Sequence, residues 1–349
     1  MMNTSLPTRQ LGTSGLAVSR LGFGAWAVGG AGWRYSWGAQ DDAESIATIR
    51  RAVEAGVNWI DTAAVYGLGH SEEVVAKTLA AIPENDRPLV FTKVGLVWDE
   101  DDRLAAPRRI MAAASVRREV EDSLRRLSVE QIDLYQVHWP DTGKSLEWGG
   151  DDSGDGVSTP LEEYWQTMAD LKAEGKVRAI GLSNHDIGQL EIAESIAHVD
   201  AIQPQFSALK RGAADELAWA AAHGTGAIIY QPLHSGLLTG AFSRERVAAL
   251  PDDDWRKGFP EFTTELDQNL ALVAALGPIA ARHGATVAEV ALAWSLAWPG
   301  VTGAIVGARK PQQVEGWVGG GSLELTEGDL AEIAEALRVT GAGVGPVRA

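Results

Sequence analysis

The sequence predicts an α/β fold: a closed (β/α)8 barrel with an N-terminal β-hairpin and two extra helices. Three observations lead there. Short apolar runs of β type alternate with longer stretches of helical spacing about eight times. No composition break or Ser/Pro-rich linker divides the 349 residues. Several of the apolar runs end in ionisable side chains. Repeated βα units imply parallel strands and right-handed crossovers, and about eight of them in a chain this long close into a barrel rather than an open sheet. The expected organisation is one barrel domain over residues 1–349.

The chain opens on a hairpin at about 8–19, with Arg9–Leu11 turning through Gly12–Gly15 into Leu16–Val18. Apolar runs then end near Gly22, Asp61, Lys93, His138, Ser183, Gln205, Ile229 and Gly307. Amphipathic spacing marks helices at Ala43–Ala55, Ser71–Ala81, Arg109–Leu127, Leu161–Glu174, Ile187–Ala197 and Ala213–Ala222. Thr263–His283, ahead of Val287–Trp298, and the C-terminal stretch at about 327–339 are the surplus helices. Three long loops, Val28–Gln40, Asp141–Thr159 and His234–Pro260, each follow a strand, on the side where barrel enzymes hold their active sites. The middle one is rich in Gly, Asp and Ser and reads as a mobile segment.

Composition narrows the function. With 30 Lys and Arg against 47 Asp and Glu, the net charge is −17, which disfavours nucleic acid and anionic membranes as partners. The start, MMNTSLPTRQLG, has no apolar core of a signal peptide, and the longest near-apolar stretch, around Ala271–Ala281, is too short to span a bilayer. A cytoplasmic protein is expected. The absence of Cys removes disulfides, zinc thiolates, iron–sulfur ligation and cysteine nucleophiles. The 13 Trp are harder to place, because so many indoles seldom all fit in a core.

Two motifs mislead. Gly22–Phe23–Gly24–Ala25–Trp26–Ala27 matches a dinucleotide fingerprint, but that fingerprint needs a helix to follow at once. Here a Gly/Trp loop follows. Thr142–Ser145 resembles the end of a phosphate-binding P-loop, yet His138 stands where its first Gly belongs. There is no G-x-S-x-G elbow and no H-E-x-x-H.

The informative residues are the polar ones that close apolar strands. Asp61 closes VNWID, Lys93 closes LVFTK and His138 closes IDLYQVH. In a barrel these successive strand ends converge, and Tyr66, five residues past Asp61, reaches the same place. Singly, each has a bland explanation: a helix cap for the Asp, a satisfied core group for the Tyr or His. Jointly they suit proton transfer to a carbonyl oxygen. A phenol with an ordinary pKa of about 10 is a poor acid near neutrality. An adjacent ammonium is expected to lower it, with Asp61 holding Lys93 charged and neutral His138 orienting the carbonyl. None of the four carries a reductant, so with no Cys and no evident metal site the electrons point to an organic hydride donor.

The sequence resembles the aldo-keto reductases, from the opening hairpin to about Val339. DTAAVYGLGHSEE, the TK at the third strand end, IDLYQVHWPD, GKVRAIGLSNH, GLLTG and IVGARKPQQ are similar to that family's motifs and stand in its order. The resemblance implies a TIM barrel and an oxidoreductase whose catalytic tetrad is Asp61, Tyr66, Lys93 and His138. It implies that Ser183, Asn184 and Gln205 hold the nicotinamide carboxamide and that Tyr230 stacks on the ring. Gly236, Leu237 and Leu238 would lie under the pyrophosphate, Gly307, Ala308 and Arg309 would receive the adenosine end, and Pro232, Leu233, Ser235 and Gln313 are further implied cofactor contacts. GARKP and the Trp-rich first loop look most like bacterial NADPH-dependent members of the general-stress-protein type. Where many relatives carry an acidic residue and Asn for adenine, this chain reads Gly316 and Trp317. Gly307 replaces the usual 2′-phosphate Lys, which leaves Arg309 and Lys310 for that work and favours NADPH over NADH.

Acidic clusters at Asp99–Asp102, at Asp151, Asp152 and Asp155, and at Asp252–Asp254 fall in strand-to-helix loops; such runs are more often a solvated face, but if they rim the pocket they disfavour anionic substrates, and uncharged aldehydes or ketones are expected. Trp26, Trp33, Trp37, Trp98, Trp139, Trp148 and Trp255 fall on the same side, and Trp26, Trp33, Trp98 and Trp139 are expected to line the pocket. No metal site is expected, and the chain is read as a monomer or homo-oligomer. Two other classes fit less well: a regulatory cofactor-binding subunit on the same fold, for which no partner motif is visible, and a two-carboxylate glycosidase, for which Asp61 lacks an acidic neighbour.

Overall fold

A computed structural model describes residues 6–147, 150–252 and 254–348. The hairpin forms first, with β1 (Thr8–Gln10) antiparallel to β2 (Ala17–Ser19). The barrel strands are β3 (Leu21–Gly24), β4 (Trp59–Asp61) and β5 (Leu89–Val94), then β8 (Ile132–Val137) and β11 (Val177–Ser183). β12 (Ala201–Gln203), β13 (Gly226–Ile229) and β14 (Gly303–Gly307) complete it, and β14 pairs with β3 to close the ring. Every pairing in the ring is parallel.

Helices α1 (Asp42–Glu54), α2 (His70–Ala80), α3 (Ala113–Leu127), α4 (Leu161–Ala173), α5 (Ile187–Glu194) and α6 (Ala214–His223) connect the strands. The short α7 (Arg244–Ala248) lies in the loop after β13, and α8 (Leu266–His283) and α9 (Val287–Ala297) follow. α10 (Pro311–Glu315) and α11 (Glu327–Thr340) come last. Their ends are set locally. Asp41 caps α1, and capping boxes at Asp186/Gln189, Thr286/Glu289 and Thr326/Asp329 open α5, α9 and α11. Left-handed Gly224, Gly284 and Gly341 end α6, α8 and α11. Among the described residues no single helix is long and apolar enough to cross a membrane.

The misleading GFG motif has a packing explanation. Gly22 lies on β3, and a Cβ there would fall inside the buried indole of Trp59. The residues after it form a barrel-mouth loop with only a short 3-10 turn, Trp26–Gly29.

Two expectations fail around the middle loop. The helix expected from Arg109 begins only at Ala113, because β7 (Arg108–Arg109) pairs with β6 (Leu96–Val97). The segment read as mobile contributes β9 (Ser145–Leu146) and β10 (Asp152–Ser153) to the same small sheet, ordered β10-β9-β7-β6. Asp141 ties its ends together, its carboxylate accepting from the amides of Met111 (2.8 Å), Gly143 (2.7 Å) and Thr159 (3.0 Å). Strands of two residues carry too little periodicity to be read from sequence. Trp148 and Asp253 lie outside the described residues.

Candidate active site

β4 ends on Asp61, β5 carries Lys93 one residue from its end, and His138 follows β8 directly. Lys93 and Gln136 are register partners on neighbouring strands. Tyr66 arrives from the turn after β4, where Gly67, Leu68 and Gly69 all have positive φ and bend the chain back over the barrel mouth. The four groups expected to converge do so.

Lys93 and Asp61 form an ion pair with side chains 0% and 4% exposed. The ammonium also donates to the Thr62 carbonyl at 2.9 Å. It sits 5.1 Å from the centre of the Tyr66 ring, which meets the His138 ring edge-on at 5.6 Å. The other Asp61 oxygen, Oδ2, accepts from Gln203 Nε2 at 2.9 Å and Gln136 Nε2 at 3.3 Å. These partners are an ammonium and two amides, not a second carboxylate, which speaks against glycosidase chemistry.

Burial, and secondarily the Lys93 charge, holds the His138 imidazole well below its ordinary pKa, so it is neutral near pH 7. Burial also pulls the Lys93 ammonium down, opposed by Asp61. The Tyr66 phenol departs from expectation. It is pushed well above its ordinary value, first by burial and then by the Asp61 charge. Burial penalises the phenolate, and the Asp61 carboxylate repels it. The hydroxyl therefore keeps its proton.

Beside this cluster lie the residues expected to hold a cofactor. Asn184, at φ 62°, donates through Nδ2 to the His138 carbonyl (3.0 Å) and to Ser183 Oγ (3.1 Å), and its Oδ1 accepts from the Tyr230 hydroxyl (2.8 Å). Ser183, Asn184, Tyr230 and His138 are thus one hydrogen-bonded surface. Gln205 is not part of it. It lies two residues past β12 and donates to Gln231 Oε1 at 2.6 Å. Gln203, which the sequence reading passed over, is the residue that closes the strand, and its carbonyl accepts from Ser183 Oγ at 2.8 Å.

The stretch Gln231–Gly236, where the resemblance puts the pyrophosphate, is strained. Gln231, His234 and Ser235 are left-handed without being Gly, and Gly236 is left-handed too. Left-handed backbone at non-glycine residues is strained and clusters at ligand-binding sites. Pro232, Leu237 and Leu238 are buried and Leu233 is half-buried, and the amides of His234, Gly236 and Leu238 are already bonded to the carbonyls of Gln231 and Leu233. At the last strand end Gly307 is exposed and Ala308 buried, and Gln313 Oε1 accepts from the Arg309 amide at 2.6 Å. The Arg309 guanidinium is held by Gln40 Oε1 (2.8 Å) and the Ala39 carbonyl. Trp317 is buried in the core, so it does not face an adenine.

The tryptophans gather over the cluster. Trp26 stacks on Tyr66 with ring centres 6.3 Å apart, and Trp33 approaches the same ring at 6.3 Å. Trp98 and Trp139 pack with Tyr66 and Leu68 on Ala63, Val65, Leu96 and Leu146. Trp255 and Trp37 add a tier, Trp255 lying 6.3 Å from Trp26 and 5.2 Å from Trp37. Tyr35 fixes this wall to the small sheet by donating to the Leu146 carbonyl.

A closed parallel barrel whose strand ends gather Asp61, Tyr66, Lys93 and His138 beside Ser183, Asn184 and Tyr230 is the arrangement of a barrel oxidoreductase. The model of the aldo/keto reductase family matches residues 20–338. The chain is 36% identical to the aldo-keto reductase YhdN of Bacillus subtilis, over 86% of this chain and 85% of that protein. It is 33% identical to an NADH-specific methylglyoxal reductase of Escherichia coli, over 94% and 98%. Among solved structures it is similar to the glycerol dehydrogenase AKR11B4 of Gluconobacter oxydans, with TM-score 0.84, 35% identity and 99% of each chain covered. The chain belongs to the aldo/keto reductase family, and it is an NAD(P)H-dependent oxidoreductase acting on small carbonyl compounds.

Proposed function

We propose that the protein reduces aldehyde or ketone carbonyls to alcohols with NADPH, and that Tyr66 delivers the proton. The observation that carries this reading is the buried Lys93–Asp61 pair lying beneath the Tyr66 phenol, whose ring meets the His138 imidazole. A nicotinamide nucleotide held by these residues would supply the hydride that the carbonyl carbon accepts. Tyr66 gives its proton to the oxygen, and Lys93 stabilises the phenolate left behind. Neutral His138 offers an N–H that orients the carbonyl. Ser183, Asn184 and Tyr230 hold the nicotinamide end and the Gln231–Gly236 stretch the pyrophosphate. We further take residues 1–349 as one barrel unit acting in the cytoplasm.

Uncharged substrates are favoured. Four arginines around the mouth are already paired, Arg34 with Glu147, Arg109 with Asp152, Arg126 with Glu72 and Arg256 with Asp254, while Arg103 donates to the Gly32 and Gly67 carbonyls. A substrate carboxylate would have to break one of those pairs to reach any of the four. Arg309 and the exposed Lys310 are the groups for a 2′-phosphate. NADH is the second reading, favoured by the bonds that already hold Arg309 to Ala39 and Gln40.

Two measurements test this. Following NADPH absorbance with a panel of aldehydes, Tyr66→Phe is expected to lower kcat by roughly 10²–10⁴-fold; full activity in that variant would remove the proton-donor role. Arg309→Ala is expected to raise KM for NADPH and leave KM for NADH unchanged. A higher kcat/KM with NADH in the wild type, and no effect of Arg309→Ala on either cofactor, would assign NADH instead.

A further inference from the structure

Leu134 and Gln136 point to the same face of β8, the barrel interior, where Leu134 belongs to an apolar cluster. Gln136 is 0% exposed and Gln203, on the other side of β11, is 2% exposed. An amide in this place contributes less to folding than a leucine of similar volume, since a buried polar group must be fully bonded to avoid a penalty. The bonds it makes lead to one atom. Gln136 Nε2 and Gln203 Nε2 both donate to Asp61 Oδ2, and Gln203 Nε2 also donates to Gln136 Oε1 at 3.1 Å. With Lys93 on Oδ1, both carboxylate oxygens are engaged and the group cannot rotate about its Cβ–Cγ bond without losing a partner.

The intervening strand is shaped for this arrangement. Gly181 is the register partner of Gln136 on β11 and of Ala201 on β12. A Cβ on Gly181 would lie 3.1 Å from Gln136 Cγ and 2.8 Å from the Ala201 carbonyl oxygen. A side chain is absent where the amide of Gln136 must cross towards Gln203.

We propose that Gln136 is a positioning residue for the reaction: together with Gln203 it locks the Asp61 carboxylate, and through it the Lys93 ammonium beneath Tyr66. The proposal rests on the proton-transfer role given above to Tyr66 and Lys93. Gln136 touches neither substrate nor cofactor and acts only through Asp61.

The test is Gln136→Leu, which keeps the volume and removes the donor, followed by stopped-flow single-turnover oxidation of NADPH with an uncharged aldehyde. The expected result is a hydride-transfer rate lower by about tenfold, the scale of one hydrogen bond to a charged group. KM for the aldehyde and Kd for NADPH should stay within about twofold, and the solvent deuterium isotope effect should rise as proton transfer becomes limiting. In an Asp61→Asn background the same substitution should change the rate less than about twofold, because the group it acts through is gone. An unchanged rate in the wild-type background, or the same loss in both backgrounds, would overturn the proposal. If Gln136→Leu does not fold, Gln136→Met is measured in the same way. Tyr66→Phe separates the two levels: full activity there removes the underlying reading, whereas loss there with no effect at Gln136 removes only this inference.

Discussion

At the N-terminal end of the barrel the interior is apolar and filled, whereas at the C-terminal end the same strands finish in charged groups, amides and strained backbone. Leu11, Leu16 and Val18 from the hairpin plug the first end against Trp59, Phe91, Leu134, Ile228 and Ile305. The fit there is close: Gly226 leaves room for Leu11, and Gly12 for the Gly224 carbonyl. At the other end Asp61, Lys93, Gln136 and Gln203 are buried polar groups that gain nothing over leucines in stability, and Asn184, Gln231, His234 and Ser235 sit in left-handed conformations that cost about 1–3 kcal/mol each. Stability and function are thus assigned to opposite ends of one sheet. Damage at the plug should unfold the protein without altering its chemistry, and damage at the mouth should do the reverse.

The largest effect expected on this contrast is at the plug. Leu11→Ala removes a fully buried side chain and should lower unfolding stability by about 2–5 kcal/mol in urea titration, with kcat per folded molecule unchanged. A fall in kcat without a fall in stability would merge the two ends.

Next is Asp141→Ala, at the rim of the mouth. Three backbone amides lose their acceptor, for a cost of about 1–3 kcal/mol. The small sheet that backs Trp98 and Trp139 loosens, so KM for the aldehyde should rise several-fold while Kd for the nucleotide stays put. Equal changes in both constants would show that the middle loop serves the cofactor as well.

The smallest effect lies between the ends and depends on pH. Burial raises the Glu119 carboxyl from an ordinary 4.5 to about 7, although the Gly95 amide and the Ser115 hydroxyl bond to it. The folded state holds this proton more tightly than the unfolded one. The resulting stabilisation is complete below pH 4.5 and is lost as pH rises through about 7, amounting at most to about 3 kcal/mol across that window. Glu119→Gln should flatten that part of the stability–pH curve, as read by thermal melts between pH 5 and pH 8. An unchanged slope would place the titration elsewhere. Gly95 stands two residues beyond Lys93, so this group also marks where the stable wall of the barrel meets its reactive rim.

Much of this was legible in the residues. The alternation of apolar runs and helical spacing located the eight barrel strands to within about two residues, and the strand-closing Asp61, Lys93 and His138 with Tyr66 pointed to the site. Those signals are local, because periodicity and strand termini are written in neighbouring residues. The misread elements all depend on distant ones. Arg108–Arg109 is strand rather than helix because it pairs with Leu96–Val97 and with Ser145. The Gly/Asp-rich loop is held by Asp141. Nothing in IDLYQVH marks Gln136, which the closed barrel turns towards Asp61.

By itself, then, the sequence determined the order of βα units, the closure of the sheet they imply and the chemical types at its functional end. Only the tertiary structure decided what those groups are. It set the direction of the Tyr66 pKa through burial, chose Gln203 over Gln205 at the strand end, and brought Trp26, Trp37 and Trp255 together from loops more than 200 residues apart. The reason is physical: a chain's local pattern fixes which face of each element is apolar, but desolvation and hydrogen-bond partnership exist only once distant strands have closed around the group.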